Sequence, residues 1–268
     1  MIQEVIRSRR SVRTFDGNPL SQTHAQLLTE HLGKTENPFG VPVEIRLLDA
    51  KENGLTSPVI VGAKQYLAGK VRREGDYELA FGYAFEEICL YAKELGIGTV
   101  MLAASLNRSV FESVMQVGPD EVLPCASPVG YPAEKMSFRE SVMRKGIRAD
   151  QRMAFDRLFF LGDFEHPLSE QAAGVFAEAL AMMRLAPSAA NRQPWRAVVS
   201  ENRVDFYVYH SMSESRLGDI QKVDLGIGLC HFDLVMQAQG LPGRFVRRLP
   251  GIPAEEKLEY MISFEVRR

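Results

Sequence analysis

Between Arg7 and Arg13 the chain places four arginines and two serines within seven residues: Arg7, Ser8, Arg9, Arg10, Ser11, Val12 and Arg13. Arginine carries a planar fork of donors that matches the oxygens of a phosphate. Serine hydroxyls and nearby backbone N–H groups add neutral donors. On its own such a segment also suits a solvated basic turn or a nucleic-acid patch. A second cluster, Ala186-Pro187-Ser188-Ala189-Ala190-Asn191-Arg192-Gln193-Pro194-Trp195-Arg196, has a different character. Its small residues let a planar ligand approach the backbone. Ser188, Asn191 and Gln193 offer hydrogen bonds, and Pro187 and Pro194 restrict the loop.

Other chemistries lack their signatures. The five histidines (24, 31, 166, 210 and 231) have no metal-ligand spacing, so no metal site is expected. His231 lies in an apolar stretch and reads as a satisfied core histidine. Gly96-Ile97-Gly98 and Gly226-Ile227-Gly228 stop short of a dinucleotide fingerprint. No GxSxG nucleophile element occurs.

These clusters must be held by ordered elements. The chain has 268 residues, 46% of them hydrophobic and 25% charged, with a formal net charge of −2. That balance permits a sizeable core and gives no overall field for nucleic acid or anionic membrane. Three scattered cysteines without a CxxC pair suit a reducing compartment. Met1 to Arg7 lacks the apolar core of a signal peptide, and no stretch has the ~18 uninterrupted apolar residues of a membrane span. A cytoplasmic protein is the expectation.

The sequence also echoes itself. Pro19-Leu20-Ser21 and Pro167-Leu168-Ser169 each open a helical pattern with Ser as N-cap. Leu79 to Gly96 and Val223 to Gly240 both read as long apolar helices stopped by a glycine. Expected strands are Val43–Leu48, Pro58–Gly62, Thr99–Leu102, Cys125–Gly130, Trp195–Val199, Val204–Tyr209, Arg244–Val246 and Met261–Val266. This mixture lacks regular βαβ alternation and predicts an α+β fold with mostly antiparallel sheets flanked by helices. The polar stretch Met143 to Arg152 reads as the crossover between two related halves, 1–152 and 153–268.

The two clusters resemble the FMN motifs of the nitroreductase family. Arg9 to Phe15 is similar to the N-terminal motif, and Pro187 to Trp195 to the second. Leu95-Gly96-Ile97-Gly98-Thr99-Val100-Met101-Leu102, then Ala103-Ala104, and Val129-Gly130-Tyr131-Pro132-Ala133-Glu134 also follow the family's pattern. In the family both FMN motifs lie early in one chain, and two subunits share each flavin. Here each half carries one motif. Asn37-Pro38-Phe39-Gly40 and Phe160-Leu161-Gly162-Asp163-Phe164 are degenerate versions of the missing ones. The resemblance therefore implies a pseudo-dimer in one chain: a monomer with one FMN. It implies that Arg9, Arg10, Ser11 and Arg152 hold the phosphate and ribityl tail, and that Arg13 sits at the N1/C2 edge of the ring. Ala103 and Ala104 would face N5, while Pro187, Ser188, Asn191 and Gln193 come from the second half. The implied activity is NADH- or NADPH-dependent reduction of nitroaromatic, quinone or similar planar acceptors, with no nucleophile or dedicated acid–base residue. Other flavin chemistry on the fold (dehalogenation, enoyl reduction, flavin cleavage), a non-catalytic flavin-binding regulator and a basic interaction module stay open at this point.

Overall fold

The structure is a computed structural model and describes residues 1–249 and 251–267. Helices α1 (Ile2–Ser8) and α2 (Gln22–Leu32) come first. Ser21 caps α2, its hydroxyl accepting the His24 N–H. Strands β1 (Val43–Asp49) and β2 (Gln65–Arg72) form an antiparallel hairpin that leads into the long helix α3 (Tyr77–Glu94). Then follow β3 (Gly98–Thr99), α4 (Arg108–Val114), β4 (Glu121–Val122), β5 (Ala126–Gly130) and α5 (Phe138–Gly146). The second half runs through β6 (Phe159–Leu161), α6 (Ala177–Met183), β7 (Trp195–Ser200), β8 (Arg203–Tyr209), α7 (Ile220–Ala238), β9 (Gly243–Val246) and β10 (Leu258–Val266).

The two sheets repeat one plan. The first is ordered β1-β2-β5-β3, with β4 on β2; the second is β6-β7-β8-β10-β9. Apart from β4 and β6, each is a hairpin, a long helix and two further strands, paired antiparallel in the same order. Among the described strands β6 alone pairs parallel, with β7. The fold is therefore α+β, as the unpatterned mixture of elements predicts.

Helices α3 and α7 lie against one another in the middle. Both are buried along most of their length, and Leu79, Phe81, Phe85 and Ile88 share one core with Val223, Leu225, Ile227 and Phe232. Burying each such side chain contributes about 1.5–3 kcal/mol. Their crossing is symmetric. A Cβ added at Gly82 would sit 2.0 Å from the Val223 carbonyl oxygen, and one at Gly226 2.3 Å from that of Leu79. Each glycine meets the counterpart of the residue that meets the other, so the halves approach as two copies do across a two-fold axis. Gly96 and Gly240 end the two helices at φ +75° and +72°, where glycine carries no Cβ penalty.

Several elements differ from expectation. Pro58–Gly62 is not a strand: Val61 makes one isolated bridge to Thr14, and Gly62 turns at φ +83°. The central strand is instead β2, whose Gln65, Gly69 and Lys70 obscure its apolar pattern. Thr99–Leu102 is a strand only at Thr99, while Leu102 joins Ala126 through a bridge. After Ser169 a 3-10 turn, Glu170–Phe176, precedes α6, because Gly174 at φ +56° breaks the helix. The segment Met143 to Arg152 begins as the last turn of α5 and then crosses between the halves.

Candidate functional site

A cavity of about 210 Å³ lies where α1, the end of α5 and the loop after α6 converge. Arg7, Arg9, Arg10 and Ser11 line it from the N-terminal segment. Arg144, Ile147, Ala149, Asp150 and Arg152 come from the crossover, and Leu185, Pro187, Ser188 and Asn191 from the second half. Five arginines thus face one acid. The two clusters, one in each half of the sequence, meet at one place.

The loop from the second half is strained. Ala190, Asn191 and Gln193 adopt φ +49°, +55° and +50°, which costs about 1–3 kcal/mol per residue and persists only where neighbours enforce it. The enforcing bonds are visible. The Ala189 N–H donates to both oxygens of Asp224 at 3.0 Å. Asn191 Nδ2 donates to the Arg148 and Gln151 carbonyls at 2.8 and 3.0 Å. The Gln193 N–H donates to Ser188 Oγ at 2.9 Å, and Gln193 Oε1 accepts the Met153 N–H at 2.8 Å. Asp224 is fully buried on α7, and burial pushes its carboxyl well above the usual range.

Arg152 closes the far side. It donates to the carbonyls of Ala149 (2.9 Å), Gln151 (3.0 Å) and Leu185 (3.2 Å), and to Asn191 Oδ1 (3.3 Å). Burial lowers its pKa, and the neighbouring charge of Arg9 lowers it further. Arg9 Nε lies 2.9 Å from Glu86 Oε1, and Arg10 Nη1 lies 3.6 Å from Glu140 Oε1. Thr14 donates its hydroxyl to Glu140 Oε2 at 2.7 Å, holding α5 against the arginine segment. Arg144 reaches Asp150 and, at 3.5 Å, the Ser11 carbonyl.

Buried donors remain unused. Nε and Nη2 of Arg9, Nε and Nη1 of Arg13 and Nε of Arg152 carry no hydrogen bond. Buried cationic donors without acceptors are costly, and an anion in the cavity would offer acceptors to Arg9 and Arg152, which line it. The volume lies below the ~300–1,000 Å³ of a site that encloses a whole drug-sized ligand. It suits a compact anionic group or the anionic end of a longer molecule.

A family described as "Putative TM nitroreductase" matches residues 1–236. The chain belongs to this family. A crystal structure of a "putative nitroreductase" from Thermotoga maritima MSB8 is similar over 99% of this chain and 93% of its own, with a TM-score of 0.65 at 19% identity. This likeness extends the nitroreductase-like α+β fold over both halves. A "Putative NADH dehydrogenase/NAD(P)H nitroreductase" from Bacteroides thetaiotaomicron VPI-5482 covers 51% of this chain and 89% of its own (TM-score 0.43, 21% identity). An "FMN-dependent Nitroreductase" from Clostridium difficile R20291 covers 53% and 94% (TM-score 0.39, 16% identity). No curated protein matches.

Not every residue expected of a nitroreductase site reaches this cavity. Arg13 is buried beside Glu140 and Arg144; burial lowers its pKa against the raising effect of Glu140. Gln193 is buried too, but its amide is used inside the loop, where Nε2 also donates to the Asn191 carbonyl at 3.3 Å. Ala103 and Ala104 do not line the cavity, and the Ala103 carbonyl accepts from Arg108. Conversely, Arg144, Ile147 and Ala149 line it without having been singled out. The density of basic residues in the crossover was their available signal. Glu86 supports Arg9 from behind, and a charge within the apolar middle of the helix was its signal.

The segments Asn37–Gly40 and Phe160–Phe164 take part in aromatic packing. Phe39 lies against Tyr83 and Phe245. Phe164 lies against Phe160 and Tyr207. No aromatic contact joins Phe39 to Phe160 or Phe164 among the described residues. Likewise, no group of side chains with metal-binding arrangement occurs there, and no helix is long and apolar enough to cross a membrane.

Proposed function

We propose that the chain is an FMN-dependent oxidoreductase that takes electrons from NADH or NADPH and passes them to nitroaromatic, quinone or similar planar acceptors. The observation that carries this is the meeting of Arg9, Arg10 and Ser11 with Pro187, Ser188 and Asn191 around one arginine-lined cavity. That cavity would take the phosphate end of FMN. Arg9, Arg10 and Ser11 supply donors, Arg152 and Asn191 brace the opposite wall, and the unused donors of Arg9 and Arg152 await acceptors. Arg13 would act on the ring, where a fixed cation stabilises negative charge. Ala103, Ala104 and Gln193 keep supporting places in this reading: the first two at the rim of the ring site, the third shaping the loop. Bound flavin supplies the hydride chemistry; the protein supplies orientation and electrostatics.

The halves 1–152 and 153–268 would act as one pseudo-dimeric unit, so a single chain would hold a single FMN. Purified protein should be yellow, with the spectrum of oxidised FMN bleached by NADH or NADPH without oxygen and restored by a quinone. A colourless protein that takes up no added FMN refutes the reading.

A further inference from the structure

Arg9 is ion-paired with the Glu86 carboxylate, its Nε and Nη2 still lack hydrogen bonds, and what leaves its charge available to an anion is His231. On α7 of the second half, His231 Nε2 is 2.8 Å from Glu86 Oε1, the same oxygen that faces Arg9 Nε. Its Nδ1 is 3.1 Å from the Met182 carbonyl oxygen. Both side chains are wholly buried. A carbonyl oxygen only accepts, so Nδ1 must donate. A neutral imidazole then has no proton left for Nε2, which would face a carboxylate lone pair to lone pair. The geometry therefore requires one more proton than a neutral ring and an ionised carboxylate provide. It resides on Nε2 or on Glu86, and either way the His231–Glu86 pair is neutral. The groups that touch the ring are Glu86 of α3 and the Met182 carbonyl of α6, and Arg9 of the N-terminal segment shares the Glu86 oxygen.

We infer that His231 is a positioning residue of the anion cavity: by neutralising Glu86 it lets Glu86 orient Arg9 without cancelling its charge, which stays available to a phosphate group in the cavity. Arg9 Nη2 has no partner, and Arg9 lines the cavity. An uncompensated buried guanidinium is costly, and the bound anion supplies the missing counter-charge. The relay also crosses the halves, so the second half contributes to the arginine motif as well as supplying the facing loop. The inference rests on the reading of the cavity as the phosphate site of FMN, but needs only that an anion binds there.

The test is a pair of variants titrated with FMN and, separately, with inorganic phosphate. His231→Gln leaves Glu86 ionised against Arg9, and both ligands should bind about tenfold more weakly, the cost of losing one charge-assisted contact. Glu86→Gln combined with His231→Gln removes the competing carboxylate, and affinity should return to within about threefold of wild type. A purely structural role for His231 gives a double variant at least as impaired as the single one, and that result overturns the inference. Wild type that binds phosphate but not FMN removes the flavin reading, and the phosphate constants then decide; wild type that binds neither overturns both. Should His231→Gln not fold, nitrogen-15 and carbon-13 spectra of labelled wild type count the protons directly. The extra proton on His231 or Glu86 is expected; a ring with one bare nitrogen beside an ionised Glu86 contradicts it.

Discussion

Two regions of the molecule rest on one repeated scaffold and differ in what they carry. At the cavity, the arginine segment of the first half faces the Pro187–Asn191 loop of the second, and polar groups are left unsatisfied. The segments that stand in for the missing motifs, Asn37–Gly40 and Phe160–Phe164, put Phe39, Phe160 and Phe164 into aromatic contacts instead. The scaffold beneath them stayed matched, with the same strand order and reciprocal glycines in the helix crossing. Packing conserves a two-fold arrangement because both helices must fit one another. A ligand site carries no such constraint, so the two ends of the crossing can differ in what they hold.

The crossing gives the largest expected effect. Gly82→Ala and Gly226→Ala each push a methyl into backbone, and nothing nearby can yield. Each should cost about 3 kcal/mol or more, beyond ordinary overpacking. Thermal unfolding should show similar losses for both. A large loss at one position and none at the other would break the symmetry of the crossing.

The next contrast separates binding from packing. Arg10→Ala should weaken FMN binding by about 1.5–3 kcal/mol while leaving the melting temperature near wild type. Phe164→Ala should do the reverse, losing stability by about 2 kcal/mol with unchanged flavin affinity. Fluorescence titration beside thermal melts reads both. If Phe164→Ala weakened FMN as Arg10→Ala does, the two regions would not have diverged as described.

Arg13, which lies outside the cavity, tests the proposed ring site. Its buried Nε and Nη1 carry no hydrogen bond. Arg13→Gln should lower the flavin's reduction potential and slow its reduction by NADH or NADPH, with a smaller loss of FMN affinity than Arg10→Ala. A potential equal to wild type would remove Arg13 from the ring.

Asp224 gives the smallest effect. Its pKa is raised in the fold by burial, so its contribution to stability is complete below the unfolded pKa of about 3.9 and is lost as pH rises toward the folded value. Asn at this position still accepts the Ala189 N–H and has nothing to ionise. Asp224→Asn should therefore melt no lower than wild type at pH 8 and show a flatter profile between pH 5 and 8. A variant that melts lower only at high pH contradicts the sign.

Much of this was legible from residue types. The two motifs announced their donors, and the glycine-stopped helices announced the repeat. The parts that were not legible share a cause: they depend on distant neighbours. Strand β2 hides behind Gln65, Gly69 and Lys70, whose burial is decided by strands on either side and by Glu121, 2.9 Å from Lys70. Gln193 looked like a ligand donor because a sequence does not reveal that the Met153 N–H will occupy its carbonyl. His231 reads as a satisfied core histidine, which it is, but its partner Glu86, and through Glu86 the link to Arg9, comes only with the pairing of the halves.

The central claim is that one chain completes one site. Sedimentation of the purified protein, combined with quantification of released FMN, tests it directly. One FMN per chain on a monomer is the predicted result. Two FMN per chain, or flavin retained only when two chains associate, would contradict it.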